Sequence, residues 1–209
     1  MRRLYSFLRW CPGLTGLYLR QKFYPRLFAR CGRRVLFGRF VDFRFPRRIC
    51  IGDHAVIHDN VFLDAGRART SAPVITIADH VFVGAGTGLH AGSGGISIGS
   101  GSSLGSFCAI IGGAAMVEIG ADVLLAAYCR VGPAAEEEGV SEEQAGSRGP
   151  TVIGPGGWLG VRSHVLPGAR IGEGSVVGAH ARVCADLPDY VVAVGRPARV
   201  IRHRRSHKG

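Results

Sequence analysis

An apolar residue returns at every sixth position along most of this chain, from Ile51 to Val183, and glycine or another small residue usually follows it. The repeated positions form six groups of three, which are Ile51, Ile57, Leu63; Ile77, Val83, Leu89; Ile98, Leu104, Ile110; Ile119, Leu125, Val131; Ile153, Leu159, Val165; and Ile171, Val177, Val183. Self-similarity at a fixed period is the sequence signature of a repeat architecture. The pattern therefore predicts a solenoid of short strands.

The spacing between the groups indicates how many sides the solenoid has. Within each group the step is six residues, whereas the steps between groups are 14, 9, 9, 22 and 6 residues. Extra residues therefore enter only after each third hexad. A three-sided coil of 18 residues explains this, because a triangular solenoid can extrude loops at one corner without disturbing its stack. Phe37 and Phe43 indicate one further, irregular coil.

The glycine content fits the same architecture. One inward apolar residue per short side fills a narrow core, and glycine or alanine at the next position allows the chain to bend. The chain has 32 glycines, but low-complexity segments lack the apolar periodicity seen here. We therefore predict one repeat domain over residues 35–202, preceded by an extension at residues 1–34 and followed by a tail at residues 203–209.

The net charge of +11 is distributed unevenly along the 209 residues. Residues 1–50 contain 13 Lys or Arg and one acid, residues 51–195 contain seven and 14, and residues 196–209 contain six and none. The predicted body of the solenoid is therefore acidic, and both of its ends are basic.

In residues 1–34, Leu, Phe, Trp and Tyr interleave with Arg, which predicts one or two short helices broken near Pro12 and Pro25. No apolar run there approaches the length that spans a bilayer. One interpretation is an amphipathic cap over the open end of the solenoid. The favoured one adds peripheral contact with an anionic membrane, where each Arg or Lys contributes on the order of 1 kcal/mol. We expect no nucleic-acid binding, because no recognition module accompanies the charge.

The last coils carry a more specific pattern. Residues 151–202 read TVIGPGGWLGVRSHVLPGARIGEGSVVGAHARVCADLPDYVVAVGRPARVIR. With the hexads, this ending resembles the hexapeptide-repeat acyltransferases, and it is similar to the terminal coils of their sugar and antibiotic O-acetyltransferases. The resemblance implies an all-β fold, a left-handed parallel β-helix of about seven 18-residue coils with a short N-terminal helical extension. Handedness comes from the resemblance alone, because general rules favour right-handed crossovers.

The resemblance also implies a function. The expected activity is acetyl-CoA-dependent O-acetylation of a sugar, such as a precursor of a surface polysaccharide or glycolipid, by a homotrimer with sites between its subunits. In the related enzymes the pantetheine arm follows the C-terminal coils and the phosphates meet basic residues at their end. Arg182 is included because Ala185 replaces a common lysine. On matching positions, the expected donor contacts are Trp158, Gly160, Ala179, Arg182, Arg199 and Arg202.

The catalytic base is the point at which the sequence departs from the family. The longest insertion is residues 132–151, and the family commonly has a histidine base five residues after the apolar mark, where this chain has Glu136. The neighbouring Glu137 and Glu138 would raise the pKa of Glu136 through like-charge repulsion and so make it a better base. The alternative is that these acids form a solvated hairpin.

His90 is the best replacement base among the eight histidines. It follows Leu89 at the end of a group of three, near the corner where insertions emerge, and glycines flank it. An ordinary surface or inter-coil role is the alternative for His90, as for the other histidines. His90 and Glu136 are therefore both catalytic candidates.

Other chemistry has less support in the sequence. The γ-type carbonic anhydrases share this repeat, but the histidine spacings here do not reproduce their zinc ligands, so we expect no metal. The six cysteines are widely spaced and no cleavable signal is evident, which favours reduced thiols in a cytoplasm, with the inner face of the membrane as the site of any peripheral contact. The main alternative function is a trimeric binding or scaffold protein that retains CoA binding without catalysis.

Overall fold

The computed structural model describes residues 7–66, 74–133 and 149–204. Within these residues the chain forms seven coils of a left-handed parallel β-helix, preceded by a short helical segment. The predicted fold class is thereby confirmed, including the irregular first coil that contains Phe37 and Phe43. Each coil supplies one strand to each of three sheets, and the strands of successive coils pair in register.

Sheet 1 contains the first strand of every coil, namely β1 Arg30–Cys31, β4 Ile49–Ile51, β7 Ile75–Ile77, β10 Ile96–Ile98, β13 Val117–Ile119, β16 Thr151–Ile153 and β19 Arg170–Ile171. Sheet 2 contains β2 Leu36–Phe37, β5 Val56–Ile57, β8 Phe82–Val83, β11 Ser103–Leu104, β14 Leu124–Leu125, β17 Trp158–Leu159, β20 Val176–Val177, β22 Val191–Val194 and β23 Arg199–His203. Sheet 3 contains β3 Asp42–Arg44, β6 Phe62–Asp64, β9 Gly88–His90, β12 Ala109–Ile111, β15 Arg130–Val131, β18 His164–Val165 and β21 Arg182–Val183. All described pairs are parallel except β22 with β23, which closes the C-terminal end as an antiparallel pair.

The apolar marks of the sequence form the core of this prism. Each of the 18 marks between Ile51 and Val183 is at most 3% exposed, because the narrow interior accepts one inward side chain per strand. The longer insertions leave between sheet 3 and sheet 1, at the single corner that the unequal spacing predicted.

The corner between sheets 2 and 3 turns through left-handed backbone conformations in every described coil. Gly86 occupies this position with a φ of 69°, and Phe107, Tyr128 and Arg162 follow it on the next coils with φ values of 57°, 61° and 55°. The rings of Phe107 and Tyr128 stack with centroids 5.3 Å apart, and the Arg162 guanidinium lies over the Tyr128 ring. Side-chain stacking between coils therefore accompanies a backbone conformation that non-glycine residues adopt infrequently.

The N-terminal segment covers the open end of the prism. Residues 7–10 are helical, α1 spans Gly13–Phe23, and a 3-10 turn spans Tyr24–Leu27. Tyr24 and Phe28 are buried and pack their rings against Phe37 and Phe43 of the first coil, at centroid distances between 5.1 and 5.6 Å. The segment therefore supplies the apolar cover that an end coil lacks.

Arg20 fastens the segment to the first coil. Its guanidinium is 3% exposed and donates hydrogen bonds to the carbonyls of Leu8, Cys11 and Phe37 at 3.1, 2.9 and 2.9 Å. A buried cation requires this many acceptors, because burial without hydrogen bonds is costly.

Two details differ from the sequence analysis. The first coil begins at β1, before the predicted boundary at residue 35. The hexad pattern does not reveal this strand, because β1 has Cys31 where the other six coils have Ile. Cys108 and Cys129 are far apart in sequence but lie on neighbouring coils, since β12 pairs with β15 from Ala109 opposite Arg130 onward. Both are buried free thiols.

Among the described helices, none has the length and apolarity needed to cross a bilayer.

Candidate functional site

The outward side chains of sheet 3 form a row that runs along the solenoid. Strand register aligns the residue that precedes the inward mark on each strand, so neighbours in this row are about 4.8 Å apart. The row consists of Asp42, Phe62, Gly88, Ala109, Arg130, His164 and Arg182. Two small residues therefore stand between the Phe62 ring and the Arg130 side chain. The outward side chains are therefore shortest at Gly88 and Ala109, and we call this low stretch of the sheet 3 surface, with Gly88 and Ala109 as its floor, the depression.

His90 lies at the side of this depression, two residues after Gly88 on the same strand, β9. Its ring is in tilted contact with the ring of Phe62, with centroids 5.2 Å apart. A Cβ atom placed on Gly88 would lie 3.0 Å from the His90 Nε2 atom, so the imidazole fills the space that the missing side chain leaves. Glycine at position 88 therefore allows the imidazole to lie over the floor of the depression.

Charged groups surround His90 on the same edge. Asp64 is its register partner on β6, and Arg44 is the partner of Asp64 on β3, with Arg44 Nη1 3.8 Å from Asp64 Oδ2. The other carboxylate oxygen of Asp64 accepts a hydrogen bond from the Gly66 N–H at 2.9 Å. The Asp64 carboxylate is therefore held in position beside the imidazole.

The protonation state of His90 follows from these neighbours. Burial lowers the pKa of the imidazole below its ordinary value, Asp64 opposes that shift, and Arg130 and Arg44 add to it. A free histidine titrates near pH 6.5, so the imidazole of His90 is predominantly neutral at pH 7. A neutral imidazole beside a carboxylate can accept a proton from a hydroxyl, because the carboxylate stabilises the imidazolium that forms.

His164 and Arg130 hold the start of the longest insertion. The His164 Nε2 atom is 2.9 Å from the carbonyl oxygen of Gly132, and Arg130 Nε donates to the carbonyl of Pro133 at 2.8 Å. Burial lowers the pKa of His164, the hydrogen bond to Gly132 opposes the shift, and Arg130 and Arg196 add to it. The other catalytic candidate, Glu136, lies outside the described residues, so its role stays a prediction.

The six donor candidates do not all lie on one face. Trp158 is on the outer face of sheet 2 and is 50% exposed. Gly160 and Ala179 lie at the corner between sheets 2 and 3, where a Cβ on Gly160 would be 2.5 Å from the Ala179 amide nitrogen. Arg182 is in the sheet 3 row, beyond His164. The corner thus connects the donor candidates on sheet 2 with Arg182 on the face that contains the depression.

Arg199 and Arg202 lie on β23 at the C-terminal end of sheet 2, and both are exposed. Register aligns Trp158, Val176, Val192 and Arg202 in one outward row. Three strand spacings separate Trp158 from Arg202, or about 14 Å along the solenoid. A ligand with an apolar arm and a phosphate end could lie along this row, because Arg offers several fixed donors to phosphate.

Sequence reasoning did not identify Phe62, Asp64, Ala109 or Arg130, and it counted Gly88 only as part of a flexible flank. A signal was present, since each outward residue of sheet 3 immediately precedes the third apolar mark of its coil. Within the described residues, no three His, Cys, Asp or Glu side chains gather into a group that could hold a metal ion.

Comparison with known proteins identifies acetyltransferases that are similar to parts of this chain. The family profile described as "Bacterial transferase hexapeptide (six repeats)" matches residues 150–185. A protein of Mycobacterium tuberculosis described as a probable acetyltransferase is 39% identical over 92 residues, which are 42% of this chain and 31% of the relative. A chloramphenicol acetyltransferase of Escherichia coli is 34% identical over 113 residues, 50% of this chain and 52% of the relative. The matched parts span about half or less of each relative.

A solved structure extends the likeness to most of the chain. A point mutant of AntD, an N-acyltransferase from Bacillus cereus in complex with dTDP-4-amino-4,6-dideoxyglucose and coenzyme A, superposes with a TM-score of 0.60 over 88% of each chain. The superposition shows a shared fold, and because the two sequences are 21% identical it shows the fold alone. The resemblance that the repeats and the ending predicted is confirmed by the profile and the acetyltransferase relatives.

Proposed function

We propose that this chain, which has the repeats and the fold of the hexapeptide-repeat acyltransferases, is an acetyl-CoA-dependent O-acetyltransferase that acts on a sugar. The observation that carries the proposal is the depression on sheet 3, where a neutral imidazole, that of His90, lies over Gly88 with Asp64 beside it. This is the environment that a general base needs on a fold that transfers acyl groups in its relatives.

In the proposed reaction, the neutral His90 imidazole takes the proton of an acceptor hydroxyl. The acceptor oxygen attacks the thioester carbonyl carbon, and a backbone N–H stabilises the oxyanion of the tetrahedral intermediate. Collapse of that intermediate breaks the carbon–sulfur bond, and the imidazolium returns the proton to the departing CoA sulfur. Asp64 acts as a positioning residue, because its carboxylate favours the imidazolium that forms between the two proton transfers.

The depression is suited to a polar, ring-shaped acceptor. The Phe62 ring offers an apolar face at one side, and Arg130 offers hydrogen-bond donors at the other. Ala109, whose side chain is a single methyl group, leaves room for a ligand over the sheet beside the His90 ring. These features support a sugar as the acceptor class, a precursor of a surface polysaccharide or glycolipid being the substrate that we propose.

The donor proposal rests on the C-terminal coils. The pantetheine arm of acetyl-CoA would follow the edge of sheet 2 from Trp158, along the corner that holds Gly160 and Ala179, toward Arg199 and Arg202 at the phosphate end. Arg182 would contribute from sheet 3. No metal ion takes part in the proposed chemistry, because the base and the oxyanion donors suffice for transfer from a thioester.

The two halves of the proposed site lie on different faces of one prism, because Trp158 is on sheet 2 and His90 is on sheet 3. A donor on one chain can meet a base on another when the chains assemble side by side. This supports a homotrimer with sites between subunits, as the resemblance implied, and the proposal includes a cytoplasmic location where acetyl-CoA is available.

The decisive experiment supplies the pure protein with acetyl-CoA and a panel of nucleotide sugars, amino sugars and glycans. CoA release is followed with a thiol reagent, and acetylated products are identified by mass and by their stability to mild alkali, which cleaves esters and spares amides. An alkali-labile acetyl sugar is the expected product. An amide product would replace O-acetylation by N-acylation.

Variants of the two base candidates assign the catalytic group. His90→Ala is expected to abolish most CoA release, and Glu136→Ala is expected to retain it. The reverse result would move the base to the long insertion. CoA binding without turnover across the panel, measured by calorimetry, would overturn the enzyme proposal in favour of a scaffold that retains CoA binding.

A further inference from the structure

The N-terminal segment is apolar on two sides, and only one of them is covered. Leu8 and Tyr24 face the first coil and are 5% and 0% exposed, as expected of a cap. The opposite side carries four large side chains that the prism does not cover. Phe7, Trp10, Leu14 and Tyr18 are 49%, 59%, 84% and 62% exposed. Capping explains the first set and leaves the second without a function.

The exposed side chains follow the helix period. Leu14 and Tyr18 are four residues apart in α1 and share one face, and Lys22 follows Tyr18 by another four. Trp10 precedes Leu14 by four residues across the break at Pro12. On α1 the exposed apolar pair Leu14 and Tyr18 thus leads directly into the cationic Lys22, and Trp10 is exposed in the helical turn before the break.

The surroundings of the stripe are strongly basic. Asp42 is the single acid of residues 1–50, and its carboxylate lies 3.4 Å from Arg9. The exposed cations of the same end of the prism include Lys22, Arg26, Arg30, Arg33, Arg34 and Arg47, whereas Arg39 and Arg44 pair with Asp59 and Asp64. Their partner must therefore be both apolar and anionic.

We propose that the outer side of this segment, which we call the cap surface and define as Phe7, Trp10, Leu14, Tyr18, Lys22 and Arg26, binds a membrane that contains anionic phospholipid. Charge complementarity carries this choice. Leu14 and Phe7 enter the boundary between headgroups and acyl chains, and the rings of Trp10 and Tyr18 lie at headgroup level, where amphipathic aromatic side chains are favoured. Lys22 and Arg26 lie among the lipid phosphates.

Other occupants fit less well. A second copy of the cap surface would bring two cationic patches together, which is unfavourable. Nucleic acid would use the cations but leaves Leu14, the most exposed of the four apolar side chains, without a partner. The C-terminal end is also basic and exposes Ile201 at 63%, but residues 191–204 contain no Phe, Trp or Tyr. The two ends of the solenoid are therefore distinguishable by experiment.

The inference is independent of transfer chemistry. The cap surface lies at the end of the prism, whereas the depression of His90 lies on its side, on sheet 3. A chain held by its cap would therefore keep that side face free for a substrate.

Co-sedimentation of the full chain with vesicles tests the proposal. The expected result is association with vesicles of phosphatidylcholine mixed with phosphatidylglycerol, and little association with phosphatidylcholine alone. In the double variant Leu14→Ser with Tyr18→Ser, association falls by about tenfold, because two exposed apolar groups are removed from the interface. The matched control is Ile201→Ser, an exposed apolar residue in a basic setting at the opposite end, which retains full association. Circular dichroism confirms that all three proteins are folded.

The two tryptophans provide a second measurement that does not depend on the serine variants. In a Trp158→Phe background, brominated lipids quench the fluorescence of Trp10. In a Trp10→Phe background, the fluorescence of Trp158 is unaffected. Lack of association with anionic vesicles, equal association of the double variant, or quenching of Trp158 alone would each overturn the proposal. Binding of duplex DNA at physiological salt that is equal in wild type and double variant, without vesicle association, would assign the charge to nucleic acid.

Discussion

The C-terminal coils are the part of the chain most similar to known relatives, whereas the depression of sheet 3 is the part where side chains are organised around a candidate base. Residues 150–185 match the family profile, yet their donor candidate Trp158 is an exposed side chain on sheet 2, as are Arg199 and Arg202 beyond the matched residues. The depression lies on earlier coils. There the His90 ring contacts Phe62, lies over Gly88 and has charged side chains as neighbours. Similarity to relatives and organisation of side chains therefore identify two different parts of the molecule, and the proposed reaction needs both.

The largest effect is expected from the depression. His90→Ala should lower kcat by about 10²- to 10⁴-fold, because the loss of a general base has effects of this size. Steady-state CoA release measures it. His80→Asn is the matched control, since His80 is an exposed histidine with a φ of 58° on another corner, where Asn is tolerated. Equal losses in both variants would remove His90 from the proposed mechanism.

The second-largest effect on kcat is expected from substitution of Asp64, whose carboxylate lies beside His90. Asp64→Asn should lower kcat by about tenfold, or about 1.4 kcal/mol, while the amide oxygen retains the hydrogen bond from Gly66. The wild-type rate should fall as the pH falls through the pKa of His90, which lies below about 6.5, because protonation removes the base. Asp64 raises that pKa, so its loss should move the acid limb of the pH profile of kcat/KM to lower pH. An unshifted limb would contradict the positioning role.

Substitution of the donor arginines should weaken the binding of acetyl-CoA without lowering kcat. Arg199→Gln with Arg202→Gln should raise the Kd of acetyl-CoA about fivefold, with kcat at saturation unchanged, since exposed cations contribute modestly to phosphate binding. Calorimetry and kinetics separate the two effects. Arg26→Gln, at the other basic end, is the control and should leave the Kd unaltered. A fall in kcat without a change in the Kd would disconnect these arginines from the donor.

The smallest effect concerns the space under the imidazole. Gly88→Ala should lower kcat about two- to threefold, because its Cβ would lie 3.0 Å from the His90 Nε2 atom and displace the ring. The displaced atom belongs to a side-chain end, so the melting temperature should change little. Ala109→Gly, which enlarges the same floor without crowding the ring, is the comparison variant. If Gly88→Ala were fully active, the ring position over Gly88 would have no catalytic importance.

Much of the fold could be predicted from the sequence, because each apolar mark fills the same inward position. The unequal spacing also identified the corner that extrudes loops. The start of the first coil was harder to predict, since Cys31 stands where Ile would continue the pattern. The pairing of Asp64 with His90 was within reach, because both residues follow the third mark of neighbouring groups.

The rest of the site depends on properties that a repeat pattern does not contain. The His90 ring approaches Gly88 and is partly buried because of its side-chain rotamer and its contact with Phe62 on the preceding coil. The position of Arg130 beside Ala109 depends on register across the loop between Ile110 and Ile119. Such contacts depend on the particular side chains of each coil, and the hexad describes only what the coils have in common.

The hydrogen bonds of Arg20 couple docking of the N-terminal segment to formation of the first coil. Two of its acceptors, the carbonyls of Leu8 and Cys11, precede it in sequence, but the third belongs to Phe37 on β2. The guanidinium therefore completes its set of acceptors only after the first coil has emerged and formed. The N-terminal segment can therefore dock fully only on a correctly formed first coil. A chain whose first coil is out of register is expected to expose this segment to proteolysis.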